Sequence, residues 1–319
     1  MIFVRRPPDP GLAIYLPSAA PTKTNASQRE IAAAIDFFTN KINFAKNVKL
    51  CKEKFTFRIY KDPDLGDKLE TIFKGKCAYC ESYYGAVTPK EIEHFRPKSE
   101  ISLEDGTTFV PGYFWLGSEW TNLLTSCVDC NRARRHNVPG QTKKAKLGKG
   151  SQFPLDDETK RVRKHRADLK AEERVRLLIN PCSDRPEGLL DFDDEGLVHP
   201  VFGASSFKGR KAKTSIDVYA LQRKGLVEAR KALLNLFMTH VATLRYLLSS
   251  HNRMVAERKR AAILAESRDE INRVSEQLHA MTSPGAPYLA LLRAYIRRGE
   301  KNGIFDDLKR FGVNLMDLL

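Results

Sequence analysis

Two Cys-x-x-Cys pairs, Cys77/Cys80 and Cys127/Cys130, enclose Glu93, His94 and Asn122, and the second pair runs directly into Asn131. A Cys-x-x-Cys turn places two sulfurs on one side of a metal, so a second pair after 46 intervening residues can complete a tetrahedron of thiolates around zinc. With all four positions filled by protein, such a site is structural. It would clamp the start of a β-hairpin to the start of a helix and hold whatever lies between them in fixed relation. Disulfides are the other use for paired cysteines, but they belong mainly to small secreted domains.

The enclosed residues supply different chemistry. A neutral imidazole at His94 can take a proton from water near physiological pH, leaving Glu93 to hold a divalent cation. Neighbours on a strand point to opposite faces, so both can serve one site only if the chain departs from regular strand geometry, which Phe95-Arg96-Pro97 favours. Asn131 should lie in the first turn of a helix, where its carbonyl oxygen can join Glu93 on Mg²⁺ and free backbone amides favour a phosphate. Asn122, both donor and acceptor, suits a loop organiser that bonds backbone across the hairpin connection and fixes the His94 segment. His136, in a basic loop, is a secondary metal-ligand candidate, while Arg134 or Arg135 could neutralise a scissile phosphate. Together these residues point to a metal-dependent phosphodiesterase, a nuclease.

The elements that must position them follow from patterning. Ser27 with Glu30 reads as a capping box ahead of Ile31, Ile35, Phe38 and Ile42, predicting a helix over about 27–46, and a short helix over Asp64–Phe73 delivers the chain to Lys76-Cys77. Residues 1–75 are thus expected to be a helical buttress, 76–155 the catalytic module, and 156–319 a basic linker, a small hairpin and a C-terminal helical region. The hairpin is Leu189–Phe192 with Leu197–Val201, read as scaffold. Leu226, Leu233, Phe237, Val241, Leu244 and Leu248 form one helical stripe. A second helix is expected over about 252–281 and a third over Tyr288–Arg298, as a bundle or antiparallel hairpin that could dock a partner protein. Trp115 and Trp120 flank apolar residues and read as core, as do Phe109, Tyr113 and Phe114.

Composition narrows the partner. The 319 residues carry a formal charge of +15, with an isoelectric point near 9.5. That surplus favours a polyanion, nucleic acid first, over the neutral substrates of most metabolic enzymes. Residues 132–176 hold 15 Lys/Arg against 6 Asp/Glu, a basic track just beyond the expected site. The six cysteines, the quartet plus Cys51 and Cys182, fit a reducing cytoplasm better than a disulfide framework. Arginines and prolines break the first apolar run before a signal-peptide core can form, and no later run reaches membrane-spanning length. A cytoplasmic protein with no membrane partner is expected.

The spacing of a carboxylate-His pair, an Asn in Asn122-Leu123-Leu124 and a closing Cys127-x-x-Cys130-Asn131 resembles the HNH, or ββα-metal, nuclease motif. More narrowly, Lys76-Cys77-Ala78-Tyr79-Cys80-Glu81, Ile92-Glu93-His94-Phe95-Arg96-Pro97-Lys98, and Trp115-Leu116 with Trp120-Thr121-Asn122-Leu123 look like the HNH endonuclease of the Septu and retron-associated anti-phage defence family. The Met1-Ile2-Phe3-Val4 opening, Phe153-Pro154-Leu155 and Leu178-Ile179-Asn180-Pro181 are compatible with it, so the likeness covers about the first 200 residues. It implies an α+β, mainly α fold carrying a ββα-metal module with a structural zinc held by the four cysteines. His94 would be the general base, Glu93 and Asn131 the ligands of one catalytic Mg²⁺ (Mn²⁺ being a substitute), and Asn122 the structural asparagine. Glu93 stands where the family more often has Asp, which lengthens the reach by one methylene. The resemblance also implies DNA as substrate and an SMC-like or ABC-type ATPase as partner. RNA or tRNA as substrate, and a non-catalytic zinc module that binds nucleic acid or scaffolds an assembly, are the competing expectations.

Overall fold

The computed structural model describes residues 1–17, 24–40, 43, 55–86 and 88–319. Among these the chain is α+β and mostly helical, with four separate two-stranded antiparallel sheets. Helix α1 spans Ala26–Thr39. Its cap is Asn25, whose side chain accepts from Gln28 N at 2.8 Å while Gln28 accepts from Asn25 N at 3.0 Å. The expected Ser27/Glu30 box is therefore corrected: Ser27 donates to Ser118 O at 2.8 Å and Glu30 accepts from Arg58 N at 2.6 Å, so both tie the helix to its neighbours. Ile42 and Cys51, and the expected continuation of α1 over 41–42 and 44–46, lie outside the described residues.

Helix α2, Pro63–Phe73, begins under an Asp62 cap and ends where Lys74 turns left-handed, which throws the chain into Lys76-Cys77. The centre of the molecule follows. Strand β1 (Glu91–His94) leads through β2 (Ile101–Ser102) and β3 (Thr108–Phe109) to β4 (Leu123–Ser126), and helix α3 (Val128–Asn131) starts after a single linking residue, Cys127. β1 and β4 pair antiparallel, with Glu91 opposite Ser126, Glu93 opposite Leu124 and His94 opposite Leu123. The segment between the strands carries Tyr113, Phe114, Trp115 and Trp120 into the core, where all four are buried.

Strands β5 (Arg134–His136) and β6 (Ala145–Leu147) make a ribbon immediately after α3. Helix α4 (Lys170–Glu173) and the hairpin of β7 (Leu190–Phe192) with β8 (Val198–Pro200) precede the helical region of α5 (Phe207–Val218), α6 (Lys224–Ala256), α7 (Ala261–Thr282), α8 (Leu289–Lys301) and α9 (Asp306–Lys309). α6 and α7 pack side by side on a seam that buries Leu234, Phe237, Val241 and Leu244 from one and Val274 and Leu278 from the other. The polar run Ser249–Arg253 does not break α6, because it contains neither Gly nor Pro. The turn falls instead at Arg258, φ +53°, so α7 begins at Ala261 rather than near 252.

Buried apolar residues from Met1 to Leu315 form one continuous cluster, to which all three expected spans contribute. The helical region packs on the cysteine-bearing end of the central unit. Tyr79 stacks on Tyr219 at 3.8 Å, and the Lys76 ammonium donates to Pro284 O and Ala286 O at 2.9 and 2.7 Å. No described helix is long and apolar enough to cross a membrane.

Candidate functional site

The four thiols of Cys77, Cys80, Cys127 and Cys130 converge, all buried, with every sulfur within 4.8 Å of the others. None is in a disulfide. Cys80 Sγ and Cys127 Sγ are 3.8 Å apart, which is about the edge of a tetrahedron built on a ~2.3 Å Zn–S bond. Zinc thus fits the donor set. Arg223, at the start of α6, lays its guanidinium 3.5 Å from Cys130 Sγ and 3.4 Å from Cys80 Sγ. Four thiolates around one dication leave excess negative charge, and a buried guanidinium answers it.

On the other side of α3 lies a cleft of about 540 Å³ lined by Glu93, His94, Lys98, Asn131 and Arg132. His94 and Glu93 reach it from adjacent positions because β1 ends at His94. Phe95 N then bonds to Asn122 O at 2.9 Å and the chain turns away. His94 is buried. Its Nε2 lies 2.9 Å from Gly117 O, and a carbonyl can only accept, so Nε2 carries the proton and Nδ1 carries the lone pair. Lys98 Nζ sits 3.2 Å from that Nδ1. Burial, then the Lys98 charge, hold the imidazole well below its usual 6.5, so it is neutral at pH 7.

Glu93 is buried too, and burial pushes its carboxyl up while the Lys149 ammonium pulls it back. That ammonium is itself wholly buried and meets Oε1 at 2.5 Å as a close ion pair, off the hydrogen-bond direction. It also donates to His94 O at 2.9 Å. Lys149 is delivered by a close approach of backbone: Gly148 and Gly150 take φ +109° and +51°, and a Cβ on Gly148 would lie 2.1 Å from Arg132 O. Asn131 donates from Nδ2 to Glu91 Oε2 at 2.8 Å, which orients its amide and leaves Oδ1 as the atom for a cation.

Asn122 lies beneath this cleft and is bonded entirely to backbone. Its Oδ1 accepts from Arg96 N at 2.7 Å, and its Nδ2 donates to Arg96 O and Leu116 O, both at 3.0 Å. It thereby links the turn after β1 to the segment before β4. Arg96 continues inward to Glu172 and Glu173 at 2.9 and 3.0 Å, and Glu172 also accepts from Tyr113 Oη at 2.8 Å. His136 is placed elsewhere. It lines a second cleft beside the cysteines, on the far side of α3, and does not join Glu93, His94 and Asn131.

No known family profile matches the chain. It is 41% identical over 189 residues to Septu protein PtuB of Bacillus mycoides (strain KBAB4), a stretch that is 58% of this chain and 56% of that protein. Over that stretch the chain is similar to PtuB. It is also 32% identical over 167 residues to Septu protein PtuA of the same strain, which is 51% of this chain and 20% of PtuA. It therefore spans little more than half of PtuB and a fifth of PtuA.

The sequence motifs give roles to Glu93, His94, Asn122 and Asn131; Lys98 stands inside the motif over 92–98 without a role, and Lys149, Glu91, Glu172 and Arg223 were not singled out. Only Lys149 has a local signal, a lysine between two glycines in an otherwise basic stretch. Replacing Lys149 by Met should cost about 3–5 kcal/mol, because it strands a buried carboxylate without its counter-ion. Urea unfolding of wild type and variant measures this above pH 7, and the deficit should shrink in acid as Glu93 becomes protonated. His94 makes a prediction of opposite origin. Its ring stays neutral in the fold while the unfolded chain protonates near 6.5, so stability is complete above 6.5 and is lost as the pH falls from there through the lower folded value. Imidazole NMR should find the Nε2–H tautomer persisting below pH 6.5.

Proposed function

We propose that this chain is the nuclease effector of a Septu-type anti-phage defence system, hydrolysing DNA phosphodiester bonds in the cleft beside α3 and working with an ATPase of the PtuA type. The observation that carries the reading is His94: a neutral ring with its proton committed to Gly117 O presents one lone pair, on Nδ1, to a cleft that also holds a carboxylate, a carboxamide and a cationic rim. The succession β1, β4, α3 with cysteines at both ends supports a ββα-metal module, and the likeness to PtuB and PtuA supports the defence setting.

In this mechanism Nδ1 of His94 takes a proton from water as the oxygen attacks phosphorus in line. The P–O3′ bond breaks and the departing 3′ oxygen takes a proton from a second water, leaving 5′-phosphate and 3′-hydroxyl ends. Lys98, which faces Nδ1, turns to the incoming phosphate and frees that lone pair for water. Asn122 acts from below by holding Arg96 N and O, so that the turn after His94 cannot drift. Glu93 and Asn131 offer hard oxygen donors of the kind Mg²⁺ or Mn²⁺ takes, with the Lys149 ammonium sharing Glu93. When bound there, the cation supplies charge stabilisation for the pentacoordinate phosphorus and the departing 3′ oxygen.

Incubating the purified, zinc-loaded chain with plasmid, linear DNA and RNA tests the reading, with and without Mg²⁺ and with and without the ATPase. The expected result is Mg²⁺-dependent cleavage of DNA leaving 5′-phosphates. Cleavage of RNA alone would move the substrate to RNA or tRNA. Binding of nucleic acid with no cleavage in any arm would leave a non-catalytic zinc module.

A further inference from the structure

The larger cleft of the molecule, about 680 Å³, is the one on the far side of α3, between the β5–β6 ribbon, the start of α6 and Tyr83. Its charge is lopsided. Asp129 is already met by Arg134 at 2.8 Å and by Arg223 at 3.8 Å, and Glu228 by Lys224 at 3.7 Å. Arg135 and Lys144, both exposed, line the same cleft with no ion-pair partner among the described residues.

The ribbon itself is built against its own stability. Arg135 stands directly opposite Lys146 in the register, and like charges facing each other across a two-stranded pair are destabilising. α6 adds to the imbalance, since it opens on Arg223-Lys224 with no acidic residue in its first turn, cations at the positive end of a 33-residue helix. On the rim, Tyr83 is 55% exposed, yet its hydroxyl donates to Gly285 O at 2.6 Å, so an open aromatic face is held in place. Unbalanced cations beside a fixed ring suit a sugar-phosphate chain with an unstacked base.

We propose that this cleft is a second nucleic-acid site, which holds the backbone of a single-stranded segment on Arg135, Lys144 and Lys224 and stacks one base on Tyr83. It deepens the nuclease reading and rests on it for the class of ligand. Arg132, on the rim of the first cleft and paired with Glu91, stands only three residues before Arg135 in the second, so the two clefts lie at either end of one short basic stretch of chain. The second cleft then anchors the substrate while the first cuts it.

Fluorescence anisotropy of a labelled single-stranded oligonucleotide, with the full chain and no Mg²⁺, measures the effect. Arg135→Glu/Lys144→Glu should bind about 10- to 100-fold more weakly at low salt and flatten the salt dependence by roughly 0.7 for each phosphate no longer held. Its melting temperature should hold or rise, because Arg135→Glu places a carboxylate opposite Lys146, so weaker binding cannot be put down to unfolding. Tyr83→Ala should lose about tenfold while Tyr83→Phe keeps most of the affinity, since stacking uses the ring face and the hydroxyl only anchors the ring to Gly285 O. Unchanged affinity and salt slope in the double variant, tighter binding of duplex than of single strand, or no binding by wild type would overturn the proposal. Cleavage that requires His94 together with unaltered binding by the double variant would remove the second site alone. Weakened binding with no cleavage by wild type would remove the nuclease reading alone.

Discussion

Replacing Cys130 by serine is expected to strip the chain of its metal and unfold the central unit. The four sulfurs join the turn after α2 to the junction of β4 and α3, two places that no strand pairing connects directly. Without the metal the buried sulfurs take up protons, the two pairs lose what joins them, and Arg223 has no compact charge to face. Structural zinc sites contribute roughly 10–16 kcal/mol in small zinc-finger peptides. That is as large as the ~5–15 kcal/mol by which whole domains are stable. Here the core beyond the site is large, so the α6–α7 pair should survive while β1, β4 and α3 lose their order. Metal analysis should find about one zinc per wild-type chain and none in the variant. Hydrogen exchange should show protection lost in β1 and β4 first. A variant with full zinc content, or one without zinc but with unaltered exchange, would remove the clamp from the account.

The cysteine quartet was readable because its spacing depends on chain-local geometry: each Cys-x-x-Cys turn sets its own two sulfurs, and only the meeting of the pairs is left to the fold. Helix α2 and the β7–β8 hairpin were readable for the same reason, since each is a short element set by residues near one another in the chain. The cap of α1 was misplaced because Ser27 and Glu30 match a capping pattern that Asn25 and Gln28 match equally well. Ser118 and the Arg58–Ile59 backbone, distant in sequence, decide between them. Lys149 and Arg223 could not be placed at all from the chain alone. A buried lysine and a buried arginine differ from surface ones only in what faces them, here the distant Glu93 for Lys149 and the sulfurs of Cys80, Cys127 and Cys130 for Arg223. The His94 partner Gly117 O is invisible in the same way, since backbone carbonyls leave no mark in a sequence.

His94→Ala should lower the cleavage rate by about 10²–10⁴, the usual contribution of a positioned general base. Two features put the loss in the chemical step. The ring is neutral before substrate arrives, so no protonation equilibrium has to be overcome at pH 7. Its Nε2–H is fixed on Gly117 O, so Nδ1 points one way throughout. The four cysteines touch neither Gly117 nor Lys98, the partners of the imidazole, and reach His94 only through Lys149, whose N bonds to Cys130 O while its ammonium bonds to the His94 main-chain O, so loss of the ring should leave metal content unchanged. Loss of the imidazole opens a cavity beside Tyr60, which packs edge-on against the ring at 4.9 Å, and His94→Gln is the control that keeps this space filled.

Single-turnover cleavage of DNA by wild type, His94→Ala and His94→Gln, matched for zinc content and binding affinity, tests the central claim most directly. A drop of at least about 100-fold is expected in both variants, with the oligonucleotide still bound. Equal rates in all three proteins would contradict it, because the water would then be activated by some group other than His94.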